Sequence, residues 1–262
     1  MPDHTIGPVD KDLVFPSCLK CPYLKGGPAK FCLDCFRNST EKYTGESCEI
    51  CGQRIEDTGC KNKLCHSQDR YVQKIHHIQY HEGELQETIH RYKYENKYGW
   101  ASIFGRFLFA WLEENLTEDR PDLIVANPTH ESRKPRHTEH VIEAAQKEDS
   151  LDNWAFDVAD TRALIKTQET KQSAKKSYKD KEVAAEALLE VLSISCTKRT
   201  EDKYILVYDD ICTTGLQLNA VAKYLQENGR ARRVEGIVLA RAPWKGAKEQ
   251  NSLSSKPTSL GI

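Results

Sequence analysis

The apolar residues in the second half of the chain fall into short continuous runs, and this pattern predicts a parallel sheet. The runs cover residues 122–127, 203–209 and 234–240. Runs of this length without regular polar alternation are typical of strands that are covered on both faces. We interpret 122–127 as the first strand of the main sheet, 203–209 as its central strand and 234–240 as a further strand.

Amphipathic stretches lie before and between these strands and predict the helices of the fold. Their apolar side chains recur at intervals of three and four residues, which gives a helix one buried face. The predicted helices cover residues 84–94, 100–112, 138–147, 182–192 and 218–228. One or two strands are expected in 70–81 and a short strand in 154–158. The pattern as a whole is that of an α/β protein.

Two basic segments interrupt this pattern, and each has two interpretations. Residues 131–137 carry Arg133, Lys134 and Arg136 directly after the strand 122–127. Ligands bind beyond the carboxyl ends of parallel strands, so this segment is either a ligand loop or a solvated turn. Residues 167–181 carry five lysines. They form either a solvated face or a mobile loop that closes over a polyphosphate.

The front of the chain contains too few apolar side chains for an ordinary core and is rich in cysteine instead. Eight cysteines form four pairs, three of them with C-x-x-C spacing: Cys18, Cys21, Cys32, Cys35, Cys48, Cys51, Cys60 and Cys65. Four thiolates complete a closed tetrahedral zinc site, so the eight predict two structural Zn²⁺ ions. Short loops favour sequential pairing, the first four cysteines and then the last four, and a cross-braced pairing is the alternative.

Composition and charge narrow the class of protein. The chain has 262 residues, with 38 lysines and arginines against 39 acidic residues, which removes global basicity as an argument for nucleic-acid binding. No apolar run approaches the roughly 20 residues of a membrane span. The N-terminus has no charged and apolar leader, so we expect a cytoplasmic protein. The predicted organisation is a zinc module in 1–82, an α/β domain in 83–244 and a disordered tail in 245–262.

The strongest chemical signal follows the predicted central strand. Two carboxylates, Asp209 and Asp210, precede a turn that contains Thr213, Thr214 and Gly215 and opens a helix. Backbone N–H groups and hydroxyls at a helix N-terminus can converge on a phosphate. An acidic pair beside it suits sugar hydroxyls or a magnesium-bound sugar. The order therefore predicts recognition of a ribose 5-phosphate end.

The stretch from Lys203 to Gln217 closely resembles the phosphoribosyl pyrophosphate (PRPP) motif of type I phosphoribosyltransferases. The resemblance implies that Asp209 and Asp210 bind the ribose hydroxyls. It also implies a 5-phosphate pocket formed by Cys212, Thr213, Thr214, Gly215 and Leu216. Gln217 stands where the motif usually has threonine. Mg²⁺ is expected to bind together with PRPP.

The wider chain resembles the ComF family, which joins an N-terminal double zinc ribbon to a type I phosphoribosyltransferase domain. The resemblance rests on the cysteine pairs and on segments 60–70, 92–94, 99–100, 124–130, 203–217 and 238–241. It implies a type I phosphoribosyltransferase-like parallel sheet with flanking helices behind a small double zinc-ribbon module. Where many members carry Arg-Gly-Phe-Asn, this chain has Arg136-His137-Thr138-Glu139. Some relatives are linked to DNA uptake during competence.

The expected function is binding of PRPP or another ribose 5-phosphate ligand, with transfer of phosphoribose to a nitrogen acceptor. Asp209 and Asp210 are assigned to the ribose, and Arg133 and Lys166 to the pyrophosphate. The alternative is a non-catalytic ligand sensor or a single-stranded DNA-handling protein that works with competence proteins. The sequence leaves open whether the protein turns over, its acceptor and its oligomeric state.

Overall fold

The computed structural model describes residues 45–55, 59–95, 97–158, 162–170 and 177–243. The predicted metal ligands Cys18, Cys21, Cys32 and Cys35 and the predicted tail lie outside the described residues.

Four parallel strands form the main sheet in the order β1-β6-β5-β2. They are β1 (Ile75–Tyr80), β2 (Leu123–Ala126), β5 (Tyr204–Cys212) and β6 (Arg233–Arg241). Ile205, Leu206 and Val207 of β5 are buried, as the continuous apolar run predicts for an inner strand. One expectation was wrong: residues 122–127 are not the first strand of the sheet, because β1 precedes them and pairs with β6.

Five helices cover the two faces of this sheet in the described part of the chain. They are α1 (Gly83–Tyr94), α2 (Trp100–Asn115), α3 (His137–Glu148), α4 (Tyr178–Leu189) and α5 (Leu216–Glu227). Side chains of α1, α2 and α3 fill one apolar core. Side chains of α4 and α5 fill the other, on the opposite face. The two cores explain why the strands read as continuous apolar runs.

A small antiparallel pair, β3 (Leu164–Lys166) with β4 (Leu192–Ile194), lies beside the main sheet. The helix predicted for 182–192 is observed as α4, which begins earlier, at Tyr178, and ends at Leu189, because the chain continues into β4 from Leu192. The early start is explained by a capping box, in which Ser177 and Asp180 bond each other's backbone N–H groups. The predicted strand 154–158 is reduced to a single bridge between Phe156 and Ile124.

The cysteine-containing segment packs directly against the sheet. Leu64 and Val72 belong to the same apolar core as α5, and the N–H of Ile75 donates to the carbonyl of Ile50 over 2.6 Å. The predicted fold class is confirmed: the protein is α/β, with a parallel sheet, flanking helices and a preceding cysteine cluster, consistent with the phosphoribosyltransferase-like fold. The domain boundary at residue 82 stays a prediction. Within the described ranges, no helix has the length and apolar content needed to cross a bilayer.

We predict that Gly105→Ala destabilises the protein, although alanine favours helices by about 1 kcal/mol. A β-carbon at Gly105 of α2 would lie 2.6 Å from Ala144 Cβ and 2.7 Å from the backbone nitrogen of Ala145 in α3. Overpacking of this kind costs about 1–3 kcal/mol. Urea unfolding should therefore show a lower midpoint for Gly105→Ala. Ser102→Ala in the same helix is the control, and equal midpoints for both variants would contradict the close packing.

Candidate functional site

A cavity of about 1140 Å³ opens at the carboxyl edge of the sheet. Every residue predicted to contact ribose, phosphate or pyrophosphate lines it: Asp209, Asp210, Arg133, Lys166, Cys212, Thr213, Thr214, Gly215 and Leu216. The sequence separates the basic members from the motif by about forty residues or more, and the parallel strands bring their loops to one edge. The structure therefore assembles the predicted set, while the role of each member stays a prediction.

The loop of residues 213–215, between β5 and α5, is held from behind through its carbonyl groups. The carbonyl of Cys212 accepts from the Arg241 guanidinium (2.8 Å) and from the N–H of Ala242 (2.8 Å). The carbonyl of Thr213 also accepts from Arg241, and that of Thr214 accepts from Asn62 Nδ2 (3.0 Å). In a planar trans peptide the N–H points opposite to the carbonyl. The N–H groups that follow these carbonyls are thus turned away from their anchors.

The N–H groups of Thr213 and Thr214 have no hydrogen-bond acceptor among the described residues. They stand at the start of α5, where the helix dipole adds partial positive charge. Donors without an acceptor at a helix N-terminus form the usual cradle for a phosphate. The Cys212 sulfur lies 3.2 Å from Arg241 Nη1, and the place of Cys212 in a phosphate pocket stays a prediction.

Gly215 closes the loop in a conformation that only glycine adopts easily, with φ of 84°. A β-carbon there would lie 2.8 Å from Ile75 Cδ1 and 2.9 Å from Leu64 Cδ2. Leu64 belongs to the cysteine-containing segment and Ile75 to β1. The loop therefore rests on residues from the front of the chain.

Four cysteines of that front segment form a compact cluster. The Sγ atoms of Cys48, Cys51, Cys60 and Cys65 all lie within 4.8 Å of one another. Three separations are 3.7–3.8 Å, namely Cys48–Cys65, Cys51–Cys60 and Cys60–Cys65. A tetrahedral zinc site with Zn–S bonds of about 2.3 Å separates its sulfurs by about 3.8 Å. The cluster could hold a metal such as zinc, and its membership is what sequential pairing predicts.

The cluster and the loop are directly connected. Asn62, which is fully buried between Cys60 and Cys65, holds the Thr214 carbonyl, and Gln53, two residues after Cys51, donates to the Ala242 carbonyl over 3.3 Å. These donors sit inside the cysteine-bearing loops, so the position of the Thr214 carbonyl depends on a side chain that lies between two cysteines of the cluster.

The acidic pair lies on the floor of the cavity with a cation opposite. Asp209 accepts hydrogen bonds from Asn127 Nδ2 (2.8 Å) and from the N–H of Asp210 (2.9 Å). Asp210, which is 9 % exposed, pairs with Lys93 Nζ of α1 over 2.7 Å. Burial and the adjacent Asp210 carboxylate raise the pKa of Asp209 to about 7. Burial opposes the charge of Lys93, but attraction to Asp210 outweighs it and raises the lysine pKa.

Basic side chains occupy another part of the wall. Lys166, at the end of β3, donates to Thr170 Oγ1 over 2.6 Å, and burial together with repulsion from Arg133 lowers its pKa. Arg133 therefore lies close enough to Lys166 for the two charges to interact. Lys181 of α4 donates to Thr213 Oγ1 over 3.1 Å. Anionic groups of a ligand could meet all three cations.

Sequence reasoning missed several residues of this site. They are Lys93, Asn127, Lys181 as a partner of the loop, Asn62 and Arg241. Asn127 follows a predicted strand, so the rule that ligands bind at carboxyl ends could have identified it. Lys93 carries no such signal, because it reaches Asp210 only through the packing of α1 across the sheet. Arg241 ends a strand, and only the structure reveals its contact with the loop.

Sequence comparison with known proteins finds a relative that is similar over most of the chain. No family model matches the chain. The chain is 25% identical over 226 residues to Competence protein ComFC of Bacillus subtilis (strain 168), a match that covers 81% of this chain and 85% of that protein. Together with the cysteine cluster, this match confirms the resemblance to the ComF family that the sequence motifs indicated.

Proposed function

We propose that the cavity binds PRPP. In this proposal, Asp209 and Asp210 accept hydrogen bonds from the ribose hydroxyls and residues 213–215 receive the 5-phosphate. Arg133 and Lys166 face the pyrophosphate. The observation that carries the proposal is that the backbone carbonyls of residues 212–214 are all held by hydrogen bonds from behind the loop, with the acidic pair beside it in the same cavity.

The reaction proposed for this site is displacement of pyrophosphate from C1 of the ribose by a nitrogen nucleophile. Such a reaction needs little covalent chemistry from the protein, since positioning and charge stabilisation supply the rate increase. Mg²⁺ bound with PRPP would neutralise pyrophosphate charge. The residues of this chain orient the ribose through the acidic pair and hold the 5-phosphate still. Arg133 and Lys166 stabilise the charge that develops on the leaving group.

The zinc sites in this proposal are structural. A closed site of four thiolates offers no open position for a substrate, and a structural zinc contributes about 10–16 kcal/mol of binding energy to the folded state. The proposed domain division is a zinc module in 1–82, whose last segment β1 joins the sheet and whose Asn62 supports the loop, and a catalytic α/β domain in 83–244.

A second candidate function is the handling of single-stranded DNA. It is favoured by the name of the relative, a competence protein, and by the lysines of the cysteine-containing segment. Binding through phosphates falls steeply as salt rises. A DNA affinity that depends on salt and is insensitive to PRPP would favour this function over the transferase.

We predict that calorimetric titration with PRPP and Mg²⁺ gives binding that Asp209→Asn weakens at least tenfold. A hydrogen bond to a charged group contributes about 1.5–3 kcal/mol, and Asn retains the size of the side chain and can still accept from Asn127. Thr214→Val should weaken PRPP binding as well, since it removes a hydroxyl beside the phosphate. Asp202→Asn, at an exposed position outside the cavity, should bind like the wild type. No heat with the wild-type protein would contradict the proposal.

We predict that PRPP affinity rises with pH through the pKa of Asp209, about 7. Ribose hydroxyls donate to the ionised carboxylate, so the ligand binds the protein in which Asp209 is deprotonated. At lower pH a larger fraction of Asp209 is protonated and must lose its proton before the ligand binds, which weakens the apparent affinity. Between pH 6 and pH 8 the affinity should increase about tenfold beyond the contribution of the ligand phosphates. The Asp209→Asn variant measures the contribution of the ligand phosphates, because it lacks the titrating carboxyl. If log affinity rises with pH equally steeply in the wild type and in this variant, the prediction is wrong.

We predict that Cys60→Ser lowers the bound zinc by one ion per chain and weakens PRPP binding. The reason is that Asn62 and Leu64, which support the loop, lie between two ligands of the cluster. Loss of one supporting hydrogen bond costs about 1 kcal/mol or more, which corresponds to several-fold in affinity. Metal content by plasma mass spectrometry and calorimetry test both effects. Cys196→Ser, at an exposed cysteine outside the cluster, is the control; one zinc fewer with unchanged affinity would show that cluster and loop are independent.

A further inference from the structure

A second cavity, of about 470 Å³, adjoins the main one. Lys181, Thr213 and Thr214 line both cavities, so the two meet at the loop of residues 213–215. The remaining polar lining comes from Lys61 and Lys63 of the cysteine-containing segment and from Tyr178 at the start of α4. The proposed binding of PRPP uses none of these three side chains.

The lining of this cavity is cationic and, among the residues that the structure describes, has no acidic member. Within the described ranges, neither Lys61 nor Lys63 has a carboxylate at ion-pair distance. Lys181 is partly buried, and this burial lowers its pKa. Lysine ammonium groups bind phosphate as point charges, and a concave surface of one sign concentrates counter-ions. The cavity is therefore suited to an anion.

Tyr178 adds an aromatic surface to this anion site. Lys63 Nζ lies 5.0 Å from the centre of the tyrosine ring, so the ring and the cation are neighbours. The volume falls within the range of about 300–1,000 Å³ that is usual for small-molecule pockets. The cavity is small for single-stranded nucleic acid, because domains that bind single strands contact about 4–16 nucleotides. A nucleotide-sized ligand fits these features better.

The position of the second cavity indicates which atom of the ribose carries the group that would occupy it. The pyrophosphate on C1 would face Arg133 and Lys166, which line only the main cavity. The second cavity meets the main one at the loop assigned to the 5-phosphate. A group that occupies the second cavity is therefore reached from the 5-oxygen of the ribose and not from C1.

We propose that the site also accepts a ribose whose 5-oxygen carries a diphosphate linked to a nucleoside. The terminal ribose and its phosphate occupy the main cavity, and the second phosphate lies among Lys61, Lys63 and Lys181. The nucleoside base packs on Tyr178. The inference rests on the proposed function, because it uses the same acidic pair and the same loop.

The test compares ADP-ribose with ribose 5-phosphate, which share the reducing ribose and its first phosphate. Calorimetry on the full chain at about 0.15 M salt should show ADP-ribose binding at least tenfold tighter. In Lys61→Ala/Lys63→Ala this advantage should disappear, while the affinities for ribose 5-phosphate and PRPP stay unchanged. Lys74→Ala/Lys198→Ala removes two exposed lysines outside both cavities and should keep the advantage.

The outcomes separate the two proposals. Equal affinities of the wild type for ADP-ribose and ribose 5-phosphate, with PRPP binding intact, would overturn this inference alone. Absence of PRPP binding would overturn the proposed function. If the Lys61→Ala/Lys63→Ala variant loses affinity for a single-stranded oligonucleotide and keeps its ADP-ribose advantage, the two lysines serve nucleic acid, and the second phosphate subsite is wrong.

Discussion

The site depends on one constraint, which is that the loop after the central strand is fastened by its carbonyl oxygens. Arg241 and Asn62 bind those carbonyls from behind, and both side chains are fully buried. Because a peptide plane is rigid, fixing one side of it orients the other. The protein thus prepares a set of donors before any ligand arrives, so that little ordering remains to oppose binding. Asn62 itself lies between Cys60 and Cys65, so its position is set by the cysteine cluster and by the core residue Leu64 beside it.

Charge is distributed at the site so that each group offsets a neighbour. The two adjacent carboxylates of Asp209 and Asp210 repel each other. Lys93 offsets this repulsion by pairing with Asp210, and Asn127 and a backbone N–H donate hydrogen bonds to Asp209. The basic groups lie on other walls, at Arg133, Lys166 and Lys181. A chain with a net charge of −1 can in this way present separate acidic and basic surfaces to one polar ligand.

The sequence predicted the parts of the site that are encoded within a single segment. Asp209 to Gly215 could be interpreted from their order alone, because a strand, an acidic pair and a helix start are all local. The continuous run at Ile205–Val207 correctly indicated an inner strand. Lys93 and Asn62 could not be found in this way, since each reaches the site through a contact across more than a hundred residues. A strand was expected in 70–81, but its place in the main sheet was missed, because His76 and His77 interrupt the continuous apolar run that is typical of a covered strand. In the structure His76 is accommodated by pairing with Glu235.

The pairing of β1 with β6 connects the cysteine-containing segment directly to the main sheet. Only nine residues separate Cys65 from Ile75, so the cysteine-containing segment continues almost at once into an edge strand of the main sheet. A chain trimmed to begin at residue 83 would lose that strand and leave one side of the β6 backbone unpaired, while the other side stays paired with β5. Unpaired edges recruit other chains and lead to aggregation. The strand that follows the cysteines therefore protects an edge of the sheet, which links the front of the chain to the solubility of the rest.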